Sequence, residues 1–182
     1  MDFMKAGPEV VQSVNQRWLL KQWKRLRNGS PLPFWQHLPV DDLTRMLETL
    51  MFCDLVPDAD GGRFLIRYLG QRIALSYGGD FSGRYLDEAL PKIWRDNALT
   101  TYRKAIDGKR PVYNAVDTRD RDGRLVHLER LLLPFSRDGA TADRILASIE
   151  AVSLEGRFEQ ENLGRSPHAT GNCALVATIE MD

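Results

Sequence analysis

The residues Arg63 to Leu69, RFLIRYL, alternate apolar and polar positions, which predicts a strand with Phe64, Ile66 and Tyr68 on one face and Arg67 on the other. Helical spacing takes over elsewhere. Val11, Val14, Trp18 and Leu19, with Leu20 and Trp23, predict an amphipathic helix over residues 9–27, closed by Asn28-Gly29. Two tryptophans on a first helix point to docking, either on the chain's own sheet or along a dimer seam. Pro31 and Pro33 force an extended connector, and Asp41 or Asp42 is placed to cap a second helix running to about Leu50. Met51 to Val56 is a short apolar strand.

Three Asp-Gly pairs punctuate the apolar runs. Asp60-Gly61 separates residues 51–56 from 63–69, Asp122-Gly123 separates 112–118 from 125–135, and Asp138-Gly139 separates that run from 145–152. Asp-Gly suits the positive-φ positions of hairpins, so each pair predicts an antiparallel connection. Between the first hairpin and the three-stranded meander lies a helical stretch from about 70 to 108, broken at Gly78-Gly79 and restarted through Asp80-Phe81-Ser82-Gly83. Its longest helix, Trp94 to Ile106, offers Trp94, Leu99, Tyr102 and Ile106 to the sheet, and Gly108 is placed to end it. The order predicts an α+β layer fold: an N-terminal helical extension (1–50), a core domain (51–155) and a mobile C-terminal tail (156–182). The tail is polar around Gly164, Pro167 and Gly171. Its last segment, from Cys173, is more apolar than a free tail and suits a sheet edge, a partner or a loosely ordered terminus.

Composition narrows the function. With 25 basic and 25 acidic side chains the formal charge is zero, which disfavours a phosphate backbone as partner. Lys21, Lys24, Arg25 and Arg27 offer a local basic stripe on the first helix, read in preference as a solvated face. The two cysteines, Cys53 and Cys173, match no zinc or redox spacing and fit a reducing compartment. The first residues lack the apolar centre of a secretory signal, and no apolar run reaches membrane-spanning length, so the expectation is a cytoplasmic protein.

Two strands, a helical connector and a three-stranded meander resemble the PAS domain family. The residues carry the resemblance further. Trp18 to Val56 is similar to the leader of small stand-alone bacterial PAS proteins of alphaproteobacterial type, with its tryptophan helix, proline-rich turn and Asp-started helix. Arg67-Tyr68-Leu69-Gly70, then Gly79-Asp80-Phe81-Ser82-Gly83, then Glu129-Arg130-Leu131-Leu132-Leu133-Pro134 continue the match in order. The resemblance implies a five-stranded antiparallel sheet with the connector on one face. It also implies a sensory, signalling role with a small ligand or cofactor between sheet and connector, and dimers through the N-terminal helix. On that basis Ile66, Tyr68, Trp94, Tyr102, Tyr113, His127 and Leu131 are candidate ligand contacts, and Val11, Val14 and Trp18 candidate dimer contacts. The alternative is a dimeric adaptor with a filled core and no ligand, signalling through an unknown protein partner.

The familiar cofactors lack their residues. The connector holds neither the cysteine of a flavin adduct nor a histidine for an axial haem bond, so both are disfavoured and the cofactor is left unassigned. His127 and Glu129, two apart on one strand, read either as a polar pair in a ligand pocket or as a bonded pair facing the N-terminal helix. A small enzyme using them as acid and base is a remote third reading. No nucleophile elbow, phosphate loop or converging metal ligands accompany them. Asp80 and Ser82 read as caps on exposed backbone amides.

Overall fold

The computed structural model describes residues 2–181. Its centre is one seven-stranded mixed sheet of order β1-β7-β4-β5-β6-β2-β3, from β1 (Met4–Ala6), β2 (Leu50–Val56), β3 (Arg63–Leu69), β4 (Val112–Arg119), β5 (Leu125–Ser136), β6 (Ala142–Val152) and β7 (Asn172–Ile179). The expected five strands form its antiparallel part. The expectation of only five, all antiparallel, is corrected at one edge: β7 pairs antiparallel with β4, and β1 pairs parallel with β7. Four α-helices among the described residues complete it: α1 (Val14–Arg27), α2 (Gln71–Tyr77), α3 (Leu86–Ala89) and α4 (Lys92–Gly108).

The hairpins form where the Asp-Gly pairs lie, and Gly61, Gly123 and Gly139 all take positive φ. The carboxylate that organises the first two loops sits two residues ahead of each pair. Asp58 accepts from the Asp60 and Gly62 amides, and Asp120 from those of Asp122 and Arg124. In the third loop Asp138 of the pair itself accepts from Ala140 and Thr141, and these bonds hold its carboxyl well below the usual range.

The first helix starts later than its apolar period, at Val14, because Ser13 caps it by accepting from the Gln16 amide at 3.4 Å. The second predicted helix is a run of 3-10 geometry, Val40–Thr49, preceded by Pro39 without a side-chain cap. In the connector, α2 ends on Gly78 in the left-handed region, and Asp80 accepts from both the amide and the hydroxyl of Ser82, as a cap should. Gly108 remains helical, and the left-handed residue that ends α4 is Lys109, at φ 51°.

The stretch after residue 156, expected as a mobile tail, is tied down along its length. Glu159 donates its amide to Asp120 at 2.9 Å, Asn162 donates its amide to the Leu75 carbonyl at 2.8 Å, and Arg165 donates its side-chain Nε to the Tyr77 carbonyl at 3.0 Å. This strap crosses α2 and α4 and feeds β7, whose Val176, Ala177 and Ile179 are buried. Composition carried little sign of this because each of these bonds has a backbone group at one end or both, and such bonds leave no pattern of apolar side chains.

Candidate functional site

Both faces of the sheet are covered, and the candidate residues divide between them. Across one face lies α1. Gln16 donates to the Glu129 and Ser148 carbonyls, each at 3.1 Å, and the Trp23 indole donates to the Pro134 carbonyl at 2.7 Å. Glu129 turns to this face and accepts the Ser13 amide at 3.3 Å. Tyr113 lies beside it. Burial first, and the Glu129 charge second, push its phenol far above the ordinary tyrosine value. Leu131, opposite Tyr113 in the β4–β5 ladder, shares the face. His127 also belongs to it, but is bound at its rim to Asp117 (Nδ1 to Oδ1, 2.6 Å), with its side chain 40% exposed. The two share the α1 face but have separate partners, so neither reading of a bonded or pocketed pair is met: Glu129 serves the α1 junction, and His127 bonds to Asp117.

Tyr68 joins that face for a different reason. The β2–β3 ladder shifts between Phe52 and Cys53, pairing Phe52 with Tyr68 and Cys53 with Ile66, so Arg67 is the extra residue of a bulge. Strict alternation would keep Ile66 and Tyr68 together; the bulge parts them. Tyr68 donates its hydroxyl to the Leu47 carbonyl at 3.2 Å and stacks in a tilted pair on Phe52, 5.5 Å between centroids. Arg67 reaches Asp54 at 2.7 Å, as an outward arginine should.

The connector face receives Ile66, Trp94 and Tyr102, the other three candidates, together with Cys53, Tyr77 and Arg130. Phe64 packs edge-on against Tyr102 at 5.3 Å, and Tyr77 meets Trp94 in a tilted pair at 6.4 Å. Between β5, α2 and α4 lies a cavity of about 20 Å³, lined by Tyr77, Trp94, Leu128 and Arg130, with Arg72 and Gln160 among its other walls. Gln160 comes from the strap and donates to the Arg72 carbonyl at 3.0 Å and the Ser76 hydroxyl at 3.3 Å. The strap also fixes Trp94, whose indole donates to the Thr170 carbonyl at 3.0 Å. Gly164 passes so close that a Cβ there would sit 2.5 Å from the Trp94 ring, so no larger residue fits without a shift.

The electrostatics of this face are one-sided. Arg130 is only 6% exposed. Its Nη1 donates to the Thr101 hydroxyl at 3.4 Å, its Nε is buried without a partner, and no carboxylate pairs with it among the described residues. Across the ladder stands Asn114, a neutral side chain. The Tyr102 hydroxyl is likewise buried and unpartnered. Burial pushes the Tyr77 phenol up to about 12 and that of Tyr102 well above its ordinary value, with the Arg130 charge pulling both the other way. Burial, with Asp54 adding to it, raises the Cys53 thiol far beyond neutrality, which makes it an inert core residue. Among the described residues no cluster of three or more potential metal ligands occurs.

Sequence reasoning missed Arg130, Tyr77 and Gln160. A signal existed for the first. Arg130 is the only lysine or arginine between Leu125 and Ser136, and it alternates with Leu128 and Leu132 on a strand whose other positions are mostly apolar. Gln160, in a stretch without periodicity, offered none.

A family model described as PAS domain matches residues 11–150. The chain belongs to the PAS domain family. The match takes in α1, the first hairpin, the connector and most of the meander, while the strap and β7 lie beyond it. No curated protein matches the chain. The family is one of sensory and interaction domains, which sets a general sensory or signalling role. No helix among the described residues is long and apolar enough to cross a membrane.

Proposed function

We propose that this PAS domain is a cytoplasmic regulatory protein that binds a small ligand between the sheet and the α2–α4 face and passes its state on by protein contact. The observation that carries the reading is the cavity lined by Arg130, whose buried Nε lacks a partner in an otherwise largely apolar layer. Trp94 and Tyr102 stand on that face, with Ile66 nearer the β2–β3 hairpin; Tyr68, Tyr113, His127 and Leu131 support the opposite face instead. Two unpaired cysteines, Cys53 and Cys173, fit a reducing compartment. For contact with a second copy, Val14 is 73% exposed and Trp18 half-buried, whereas Val11 is 0% exposed and packs within its own chain.

Native mass spectrometry and an absorption spectrum of freshly purified protein test the reading together. A mass above that of the polypeptide, lost on denaturation, is the expected result, and His127→Ala should leave it unchanged. The second reading, a ligand-free adaptor, draws on the small size of the cavity, about 20 Å³. A bare polypeptide mass under every purification condition would leave the adaptor standing alone.

A further inference from the structure

A guanidinium taken out of water with no counter-charge costs several kcal/mol, and proteins hold one where an anion or carboxylate meets it. Among the described residues Arg130 meets neither. Thr101, its one side-chain partner, is neutral, and its hydroxyl already donates to the Ala98 carbonyl at 2.7 Å. The cavity that Arg130 lines has a second cation, Arg72, in its wall and no acidic residue at all. Its remaining lining is Tyr77, Trp94 and apolar surface, with Gln160 closing over Arg72 and Ser76. Planar and bidentate, a guanidinium matches the two oxygens of a carboxylate better than it matches any neutral group.

We infer that Arg130 anchors the head group of a small organic carboxylate, held beneath the strap. The inference rests on the ligand-binding reading above and names the class of ligand. A volume of about 20 Å³ is room for one water, so the head group enters as Gln160 swings away from Arg72 and Ser76. The aromatic walls, Tyr77 and Trp94, cover the carbon end. Occupancy therefore acts on the strap directly, since Gln160 and the Trp94–Thr170 bond both belong to its anchorage.

The test follows the indole N–H resonance of Trp94 by NMR while sodium acetate replaces sodium chloride at constant ionic strength, with acetamide as the neutral match. Acetate should move the signal saturably, acetamide should not, and Arg130→Met should weaken the acetate response at least about tenfold. Gln160→Ala should keep the response, because it removes the cover and not the anchor. Arg130→Met without acetate should be as stable to urea as the parent or more so, since an apolar side chain of similar length replaces an unpaired charge. Equal shifts by acetamide and acetate would overturn the carboxylate assignment and leave a cavity for neutral ligands. No response to either also overturns it, and the native mass then separates a different ligand from none. A clear loss of stability in Arg130→Met, or undiminished acetate binding by it, would make the arginine structural.

Discussion

Asp120 shows how much backbone a single side chain can organise. It is fully buried at the β4–β5 turn, where one oxygen accepts from the Asp122 and Arg124 amides at 3.0 and 2.8 Å and the other from the Glu159 amide at 2.9 Å. Burial opposes its charge, but the three amides and the Arg124 cation outweigh burial and hold the carboxyl below its usual range. An unfolded aspartate titrates near about 3.9. With the folded value lower, ionised Asp120 contributes stability above that pH, and the contribution is lost as pH falls through the folded value. Asp120→Ala leaves three amides without an acceptor and should cost about 2–4 kcal/mol in urea unfolding at neutral pH. Asp120→Asn keeps an acceptor oxygen, should cost less, and should blunt the acid limb of the stability profile. A full-strength acid limb in Asp120→Asn would assign it to another carboxylate.

The elements differ in how plainly they could be read, and the reason is whether a side-chain pattern or a backbone bond defines them. RFLIRYL alternates cleanly, and β3 falls on Arg63–Leu69 as expected. The bulge at Arg67 carries no mark in the sequence, yet it sends Tyr68 to the α1 face. In β5, LVHLERLLLPFS is apolar on both faces because both are covered, so alternation could not say which set met the connector. That choice assigned Tyr113, His127 and Leu131, which face α1, to the connector side and passed over Arg130. The strap and β7 are the extreme case. The edge of β4 that would otherwise lie open is filled by β7 from Asn172 onward. Ending the chain after Gly171 removes Val176 and Ile179 from the core. That should lower unfolding stability by at least about 3 kcal/mol, at roughly 1.5–3 kcal/mol per buried side chain of this size. The bared β4 edge should also promote association, visible as a concentration-dependent rise in light scattering. A truncated chain as stable and monodisperse as the parent would make β7 an ornament of the fold.

At the scale of the whole molecule the sheet separates two layers of different character. One face, under α2 and α4, holds the cavity and its unpaired arginine; the other is sealed by α1 through Gln16 and Trp23. On the proposed function a signal would have to cross the sheet or travel round it, and β4–β6 carry residues of both faces on alternate positions. The outer side of α1 is where such a signal would be read by a second copy. Val14, 73% exposed, and half-buried Trp18 lie one helical turn apart there, beside Asp42, Arg45 and Met46 of the 3-10 run. An exposed apolar strip rimmed by charges fits an isologous contact, in which each copy offers the same patch. Size-exclusion chromatography with light scattering should therefore find a dimer in the parent and a monomer in Val14→Asp/Trp18→Glu. The double variant, compared at low concentration, should still unfold cooperatively with a melting temperature lowered only by the packing that half-buried Trp18 gives up against its own core. Retention of the dimer by that variant would move the contact elsewhere. A monomeric parent would leave the α1 strip free for a different protein, and the adaptor reading would then need a partner other than itself.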